Sequence, residues 1–160
     1  MKVFHCDQFT YDLPDGHAFP VEKYRMLRLA LLGESIIPPD HFYLAPAATK
    51  ETICLAHTPT YYESVINGTL SKQHIRQIGL PWSLELVTRA QYSIGCLISA
   101  AKCALSDGIA GSLSGGTHHA FPDEGRGFCI FNDVAVATLY LLKEKLAKRV
   151  AVIDLDAHQG

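Results

Sequence analysis

Four segments of the chain carry apolar residues at steps of three and four, the spacing of an amphipathic helix. They are bounded by residues typical of helix ends, such as Thr58 as an N-cap and Gly108 after the last turn. The final segment can be capped by either Asn132 or Asp133. The predicted helices cover residues 21–32, 58–66, 83–106 and 132–147.

Short apolar runs between these segments predict β-strands. They cover residues 2–6, 42–45, 52–56 and 149–155, whereas the prolines and glycine of 11–20 predict a loop. The run before Asp154 is almost continuously apolar, as in a central parallel strand that is covered on both faces. Helix, loop and buried strand alternate, which predicts an α/β fold: a three-layer αβα sandwich around a mostly parallel sheet.

Composition narrows the class of protein. A length of 160 residues is typical of one domain, and 48% apolar with 19% charged residues excludes a disordered chain. Because 14 basic and 16 acidic residues give a net charge of −2, we expect no direct nucleic-acid partner. No basic amphipathic segment or long apolar run occurs, so we expect no membrane partner either.

The cysteines point to a reducing compartment. The chain has 5 cysteines, an odd number with no C-x-x-C pair, so neither a disulfide framework nor a cysteine zinc site is expected. The N-terminus lacks the apolar core of a signal peptide. Reduced thiols therefore predict a cytoplasmic enzyme.

The sequence Asp154-Leu155-Asp156-Ala157-His158 follows the last apolar run. In an extended chain its three polar side chains lie on one side, beyond the carboxyl end of a strand, where ligands bind in open α/β sheets. Carboxylate oxygen and imidazole nitrogen are ligands of zinc, which offsets the repulsion between neighbouring carboxylates. The alternative is that Asp154 caps a helix while Asp156 and His158 form a hydrogen-bonded surface turn.

Two adjacent imidazoles, His118 and His119, follow the pair Gly115-Gly116. Histidine titrates near neutral pH, so one imidazole can take a proton from water and an imidazolium can protonate a leaving amine. The alternative is a loop that carries two unrelated surface histidines.

A third motif, Gly125-Arg126-Gly127-Phe128-Cys129, precedes the last predicted helix. Its glycines predict a tight loop, on which Phe128 is either an exposed aromatic wall or a core residue. Cys129 is either a nucleophile beside the histidines or a small buried residue, and no feature of the sequence indicates a lowered thiol pKa.

Together, these motifs resemble the zinc-dependent histone deacetylase family, which shares its fold with acetylpolyamine amidohydrolases, acetoin-utilisation proteins and arginases. The resemblance runs along the whole chain, and the segment Asp156-Ala157-His158-Gln159-Gly160 is most similar to class IV deacetylases and their bacterial relatives. It implies an arginase/deacetylase-like fold. Arginases carry an aspartate at the position of Gly160, so the resemblance implies one metal ion and not two.

The resemblance also implies roles for individual residues. Asp156 and His158 correspond to zinc ligands, and His118 and His119 to a general acid/base pair in which Asp154 orients His118. The carbonyl of Gly127 corresponds to an acceptor for the substrate amide, and Phe128 lines the tunnel for the acylated side chain. Backbone carbonyls of the segment 154–158 can hold a structural K⁺ in relatives.

In the family, the third zinc ligand and an oxyanion-stabilising tyrosine lie further along the chain. We therefore expect residues 1–160 to form the N-terminal half of a single deacetylase-like domain, inactive by itself. The expected activity is zinc-dependent removal of acyl groups from an acylated lysine peptide or a small acylated amine. The alternatives are an acetylpolyamine amidohydrolase and an inactive fragment that acts only as a binding module.

Overall fold

The computed structural model describes residues 1–158, which form an α/β fold around a parallel sheet. The strands are β1 (Lys2–His5), β2 (Phe42–Leu44) and β3 (Ala110–Ser112), in the order β2-β1-β3. Val3 of the central strand is level with Phe42 on one side and Gly111 on the other. The architecture is an incomplete form of the predicted α/β fold.

Six α-helices and one 3₁₀ turn surround this sheet in the described part of the chain. Four of the α-helices begin after a Ser or Thr whose side chain accepts a hydrogen bond from the backbone amide three residues on, and Asn132 does the same for the last helix. The helices are α1 (Lys23–Gly33), α2 (Lys50–Ile53), α3 (Pro59–Ile66), α4 (Lys72–Ile78), α5 (Leu84–Asp107) and α6 (Asp133–Lys143), and the 3₁₀ turn is Pro39–His41.

The long helix α5 organises the core. It contacts β1, β3 and α6, and its residues Ile94 and Cys96 are almost fully buried. Gly95 lies against the loop that follows β2, where a Cβ atom would stand only 1.8 Å from the carbonyl oxygen of Pro46. The backbone amide of Ala48 donates to the carbonyl of Gln91 on the same helix, so this loop is fixed directly on α5.

Most predicted elements are confirmed with boundaries shifted by one to four residues, but the predicted strand 52–56 is wrong. Thr49 caps the short helix α2 there, and the amides of Cys54 and Leu55 bond to carbonyls three or four residues earlier. The helix predicted to reach residue 147 ends at Lys143, because Lys145 adopts a left-handed conformation with φ of +55°.

The predicted central strand 149–155 is also wrong in the described structure. This segment forms no regular secondary structure and pairs with no strand of residues 1–158. Its apolar side chains are exposed, with Ile153 at 83% and Leu155 at 92%. A strand forms only against a hydrogen-bonding neighbour, and this segment has none within the described part.

All 5 cysteines are free thiols. Among residues 1–158, we find no helix that combines the length and the hydropathy required to cross a bilayer.

Candidate active site

The structure brings the His118-His119 pair and the segment 154–158 together. Nδ1 of His118 lies 2.5 Å from Oδ2 of Asp154, and Nε2 of His118 lies 3.0 Å from Nε2 of His119. The two imidazole centroids are 4.0 Å apart. A carboxylate and two imidazoles therefore form one hydrogen-bonded chain, and the alternative of two unrelated surface histidines does not describe this geometry.

Asp156 and His158 continue this cluster toward solvent. Oδ1 of Asp156 accepts from the backbone amide of His158 at 2.8 Å and lies 2.9 Å from Nδ1 of its ring. The ring of His158 is 5.9 Å from the ring of His119. These contacts form the hydrogen-bonded surface turn that the sequence offered as the alternative to a metal site at Asp156 and His158. The other part of that alternative is not seen, because Asp154 caps no helix in the described residues. The turn and the histidine pair nonetheless share one surface.

Hydrogen bonds keep both carboxyl groups of this segment ionised. The contact with His118, followed by the amide of Asp156, lowers the pKa of Asp154 below its ordinary value. The amide and then the ring of His158 lower the pKa of Asp156 in the same way. An ionised carboxylate is the form that accepts an imidazole N–H and the form that binds a cation.

The loop that carries the imidazoles is attached to the start of α6. The side-chain amide of Asn132 donates to the carbonyls of His118 and Ala120, both at 3.1 Å. One residue later, Oδ1 of the fully buried Asp133 accepts from the amide of Thr117 at 2.8 Å. Sequence reasoning gave Asn132 and Asp133 as alternative helix caps and as part of a family motif, and it missed these contacts because neither signal shows which loop lies beside them.

Gly127 lies against the imidazole of His119. A Cβ atom at Gly127 would be 2.8 Å from Cδ2 of that ring, and the φ of Gly127 is +52°, so the position fits glycine for two reasons. Its backbone amide donates to the carbonyl of Gln77 at 3.2 Å, and the next amide donates to Ile78 at 2.7 Å. The end of α4 thereby positions the Gly127–Phe128 loop beside the histidines.

Phe128 lies at the surface and is 37% exposed. Its ring is 5.2 Å from that of Phe19 and 6.0 Å from that of His17, and it covers Gly79, where a Cβ atom would be 3.0 Å from the ring. Phe128 itself has a φ of +65°, which is uncommon for a bulky residue. The ring is thus a partly exposed wall and not a core residue.

Cys129 is buried, with 5% exposure, and burial raises its thiol pKa to about 11. Its Sγ lies 3.4 Å from the carbonyl oxygen of Gly127. A thiol with this pKa is protonated at neutral pH, so the structure favours the small buried residue over the nucleophile.

The donors available for a metal are Asp156 and His158. No group of three His, Cys, Asp or Glu side chains in residues 1–158 is arranged to hold a metal ion. Gly160, which distinguishes a one-metal from a two-metal motif, lies outside the described residues.

A cleft of about 660 Å³ opens beside the imidazoles. Beyond the two histidines, its walls include Phe121 and Arg126, and the guanidinium of Arg126 lies 5.2 Å from the ring centroid of Phe121 and 2.6 Å from the carboxylate of Glu124. The cleft thus combines an apolar wall with a proton-carrying pair of side chains, as ligand sites of enzymes do.

Known proteins share this sequence and this fold. An uncharacterised protein of the cyanobacterium Picosynechococcus is 42% identical over 158 residues, which cover 99% of this chain and 52% of that protein. The acetoin utilization protein AcuC of Staphylococcus aureus is 29% identical, and the match covers 99% of this chain and 43% of AcuC. The chain therefore spans about half the length of the curated relatives it matches.

The solved structure of a histone deacetylase homologue from Aquifex aeolicus has the same fold, with a TM-score of 0.70 and 24% identity. The match covers 89% of this chain and 41% of that homologue. The histone deacetylase domain matches residues 17–160, nine-tenths of the sequence. On this match, the chain belongs to the histone deacetylase family.

Proposed function

We propose that this chain is the N-terminal half of a zinc-dependent deacetylase domain that hydrolyses the amide of an acylated lysine or a related acylated amine. The observation that carries the proposal is the hydrogen-bonded chain from Asp154 through His118 to His119. Amide hydrolysis requires a group that takes a proton from water and one that gives a proton to the leaving amine. Two adjacent imidazoles of one hydrogen-bonded chain supply both.

The contact with Asp154 selects the tautomer of His118. Because Asp154 is ionised, it accepts the Nδ1–H of His118, which leaves Nε2 of the neutral ring as a proton acceptor. Nε2 of His119 lies 3.0 Å away, so a proton can be shared between the two rings. Asp154 also stabilises the imidazolium that forms when His118 takes a proton, as the carboxylate does in other His-carboxylate pairs.

The donors at Asp156 and His158 fit zinc by type. Their Oδ1 and Nδ1 atoms are 2.9 Å apart, and the ring of His158 lies edge-on to that of His119, with the centroids 5.9 Å apart. Catalytic zinc sites use three protein ligands, so we propose that the third comes from the remainder of the domain. A bound zinc ion would polarise the acyl carbonyl and lower the pKa of a water molecule.

The loop that holds Gly127 and Phe128 supplies the substrate contacts in this proposal. The exposed ring of Phe128 offers an apolar surface to the alkyl chain of an acylated lysine, and the carbonyl of Gly127 can accept the N–H of the scissile amide. Gly127 lies against the ring of His119, so an amide bound at its carbonyl would be within reach of the imidazoles. A small acylated amine would use the same contacts.

A His119→Ala variant of the protein with the complete domain tests the proton-transfer role. We expect loss of turnover of an acetyl-lysine peptide by at least about 10²-fold, with zinc content unchanged, because general acid–base catalysis contributes 10²–10⁴-fold. His41→Ala is the matched control, since His41 lies next to β2, away from the imidazole pair, and its ring is hydrogen-bonded to the carbonyl of Met1. A His119→Ala enzyme with near-normal kcat would overturn the proposed function.

A further inference from the structure

Asn132 joins the catalytic loop to helix α6 through every polar atom of its side chain. Nδ2 donates to the carbonyls of His118 and Ala120, and Oδ1 accepts from the backbone amide of Ala135 at 2.9 Å. The carbonyl of His118 belongs to the peptide just before His119, and the carbonyl of Ala120 belongs to the peptide that follows Ala120, so the two bonds hold the chain before and after His119. From these contacts we propose that Asn132, held in turn by His57, is a positioning residue for the His118–His119 pair.

This proposal rests on the proposed function, since it assigns Asn132 to the orientation of the acid/base pair. Only an amide side chain can make this set of contacts, because it carries two N–H donors and a carbonyl acceptor. Aspartate and serine are equally good N-caps for α6, but neither can donate two hydrogen bonds. The cap function and the positioning function can therefore be separated by substitution.

His57 fixes the backbone of Asn132. Its Nε2 accepts from the backbone amide of Asn132 at 2.9 Å, and only 3% of the residue is exposed. Burial lowers the pKa of His57, which keeps the ring neutral and Nε2 able to accept. The ring packs 5.1 Å from Phe131 and 5.8 Å from Tyr61, measured between centroids, so its position is set by the core.

The contacts of Asn132 are separate from those that hold the substrate-contacting loop. The amides of Gly127 and Phe128 donate to carbonyls at the end of α4, not to α6. A change at Asn132 therefore alters the placement of the imidazoles and leaves the proposed substrate contacts in place. Since a displacement of about 1 Å can reduce a rate 10²-fold, the effect is expected in kcat and not in KM.

The first experiment compares Asn132→Asp and Asn132→Ser with Ser83→Ala in the protein with the complete domain. We expect both Asn132 variants to lower kcat on an acetyl-lysine peptide at least tenfold, with KM within about twofold and zinc content unchanged. Ser83 is the N-cap of α5 and accepts from Leu86 at 3.1 Å, so Ser83→Ala loses a cap of the same kind away from the imidazoles. Its kcat should stay within about twofold of wild type.

The second comparison is at His57. His57→Phe keeps an aromatic ring against Phe131 but removes the acceptor, whereas His57→Gln keeps an acceptor. We expect kcat to fall in His57→Phe and to be restored at least in part in His57→Gln. A loss of the same size in both variants would show that the ring acts through packing alone and would overturn the role of His57.

The imidazole signals of the protein with the complete domain, observed by nuclear magnetic resonance, separate this proposal from the proposed function. Asn132→Asp and Asn132→Ser should shift the signals of His118 and His119, whereas Ser83→Ala should not. If wild type does not turn over acyl-lysine, the proposed function is wrong, and these signals still decide the positioning role. The positioning role of Asn132 would be overturned by unchanged imidazole signals in the Asn132 variants. It would also be overturned by losses of kcat that are equal in the Asn132 variants and in Ser83→Ala.

Discussion

At the scale of single residues, the environment of a side chain decides its chemistry more than its identity does. Cys129 is next to Phe128 in the loop that contacts His119, and this position near the imidazoles suggests a reactive thiol. Burial instead raises its pKa to about 11. The thiolate is the reactive form, so a thiol in this state is inert at neutral pH although it lies near the imidazoles.

We predict that iodoacetamide modifies Cys129 of the folded chain very slowly at pH 8. A raised thiol pKa means that the neutral form predominates until the pH approaches 11, and at pH 8 only about one thiol in 10³ is ionised. Mass spectrometry of peptides after timed alkylation measures the rate, and the same peptide from chain unfolded in urea is the control. Rapid labelling in the folded chain at pH 8 would show a reactive thiol and contradict this assignment.

At the scale of elements, close approach of two backbones depends on a single glycine in α5. The carbonyl of Pro46 occupies the place where a side chain at Gly95 would begin, so the loop after β2 can lie directly on the helix. The amide of Ala48 bonds to the same helix and holds this arrangement. Because the obstructing atom belongs to the backbone, it cannot move aside as a flexible side chain can.

Gly95→Ala should lower the free energy of unfolding by about 3 kcal/mol or more, because overpacking of a backbone contact forces the loop away from α5. Gly33→Ala is the matched control, since Gly33 lies at the end of α1 with no atom within 4 Å of an added Cβ. It should raise stability slightly, by at most about 0.5–1 kcal/mol, the difference between alanine and glycine in a helix interior. Urea unfolding measures both, and equal effects would refute the close-contact explanation.

The same scale shows what the sequence can predict and why. Helices such as α5 follow from their apolar spacing and from Ser83 as a cap, both of which are local signals. The short strand β3 has the sequence Ala-Gly-Ser, which carries no β-strand signal of its own. It forms because it pairs with β1, and a local sequence pattern does not predict that pairing. Helix α4 was missed although Ser71 and Gly79 mark its two ends.

In the candidate site, too, features with a local sequence signal could be predicted, and contacts between distant residues could not. The motifs of His118-His119 and of residues 154–158 could be identified from residue types and spacing, and their proximity in space could be expected from the family resemblance. The contribution of His57 could not be predicted, because its contact with Asn132 joins positions that are 75 residues apart. Such a contact is a property of the folded chain alone.

At the scale of the whole molecule, the described chain leaves apolar surface exposed at the segment 149–155. Val152, Ile153 and Leu155 are 58%, 83% and 92% exposed, although this run has the composition of a strand buried on both faces. Consecutive exposed apolar residues are uncommon in a soluble monomer and favour association. This segment also carries Asp154, so its exposure and the completeness of the candidate site are linked.

We predict that the 160-residue chain, purified by itself, self-associates in solution through this segment. Burial of apolar surface contributes about 25 cal/mol per Å² removed from water, and this term favours association through the exposed side chains. The double variant Ile153→Lys, Leu155→Lys should shift the mass measured by light scattering toward that of a monomer, because lysines resist burial in an interface. Leu84→Lys, at a position 63% exposed at the start of α5, should leave the mass of the wild-type assembly unchanged. A wild-type chain that is already a monodisperse monomer at the same concentration would contradict this prediction, and one that also held stoichiometric zinc and turned over substrate would show that the half-domain assignment is wrong.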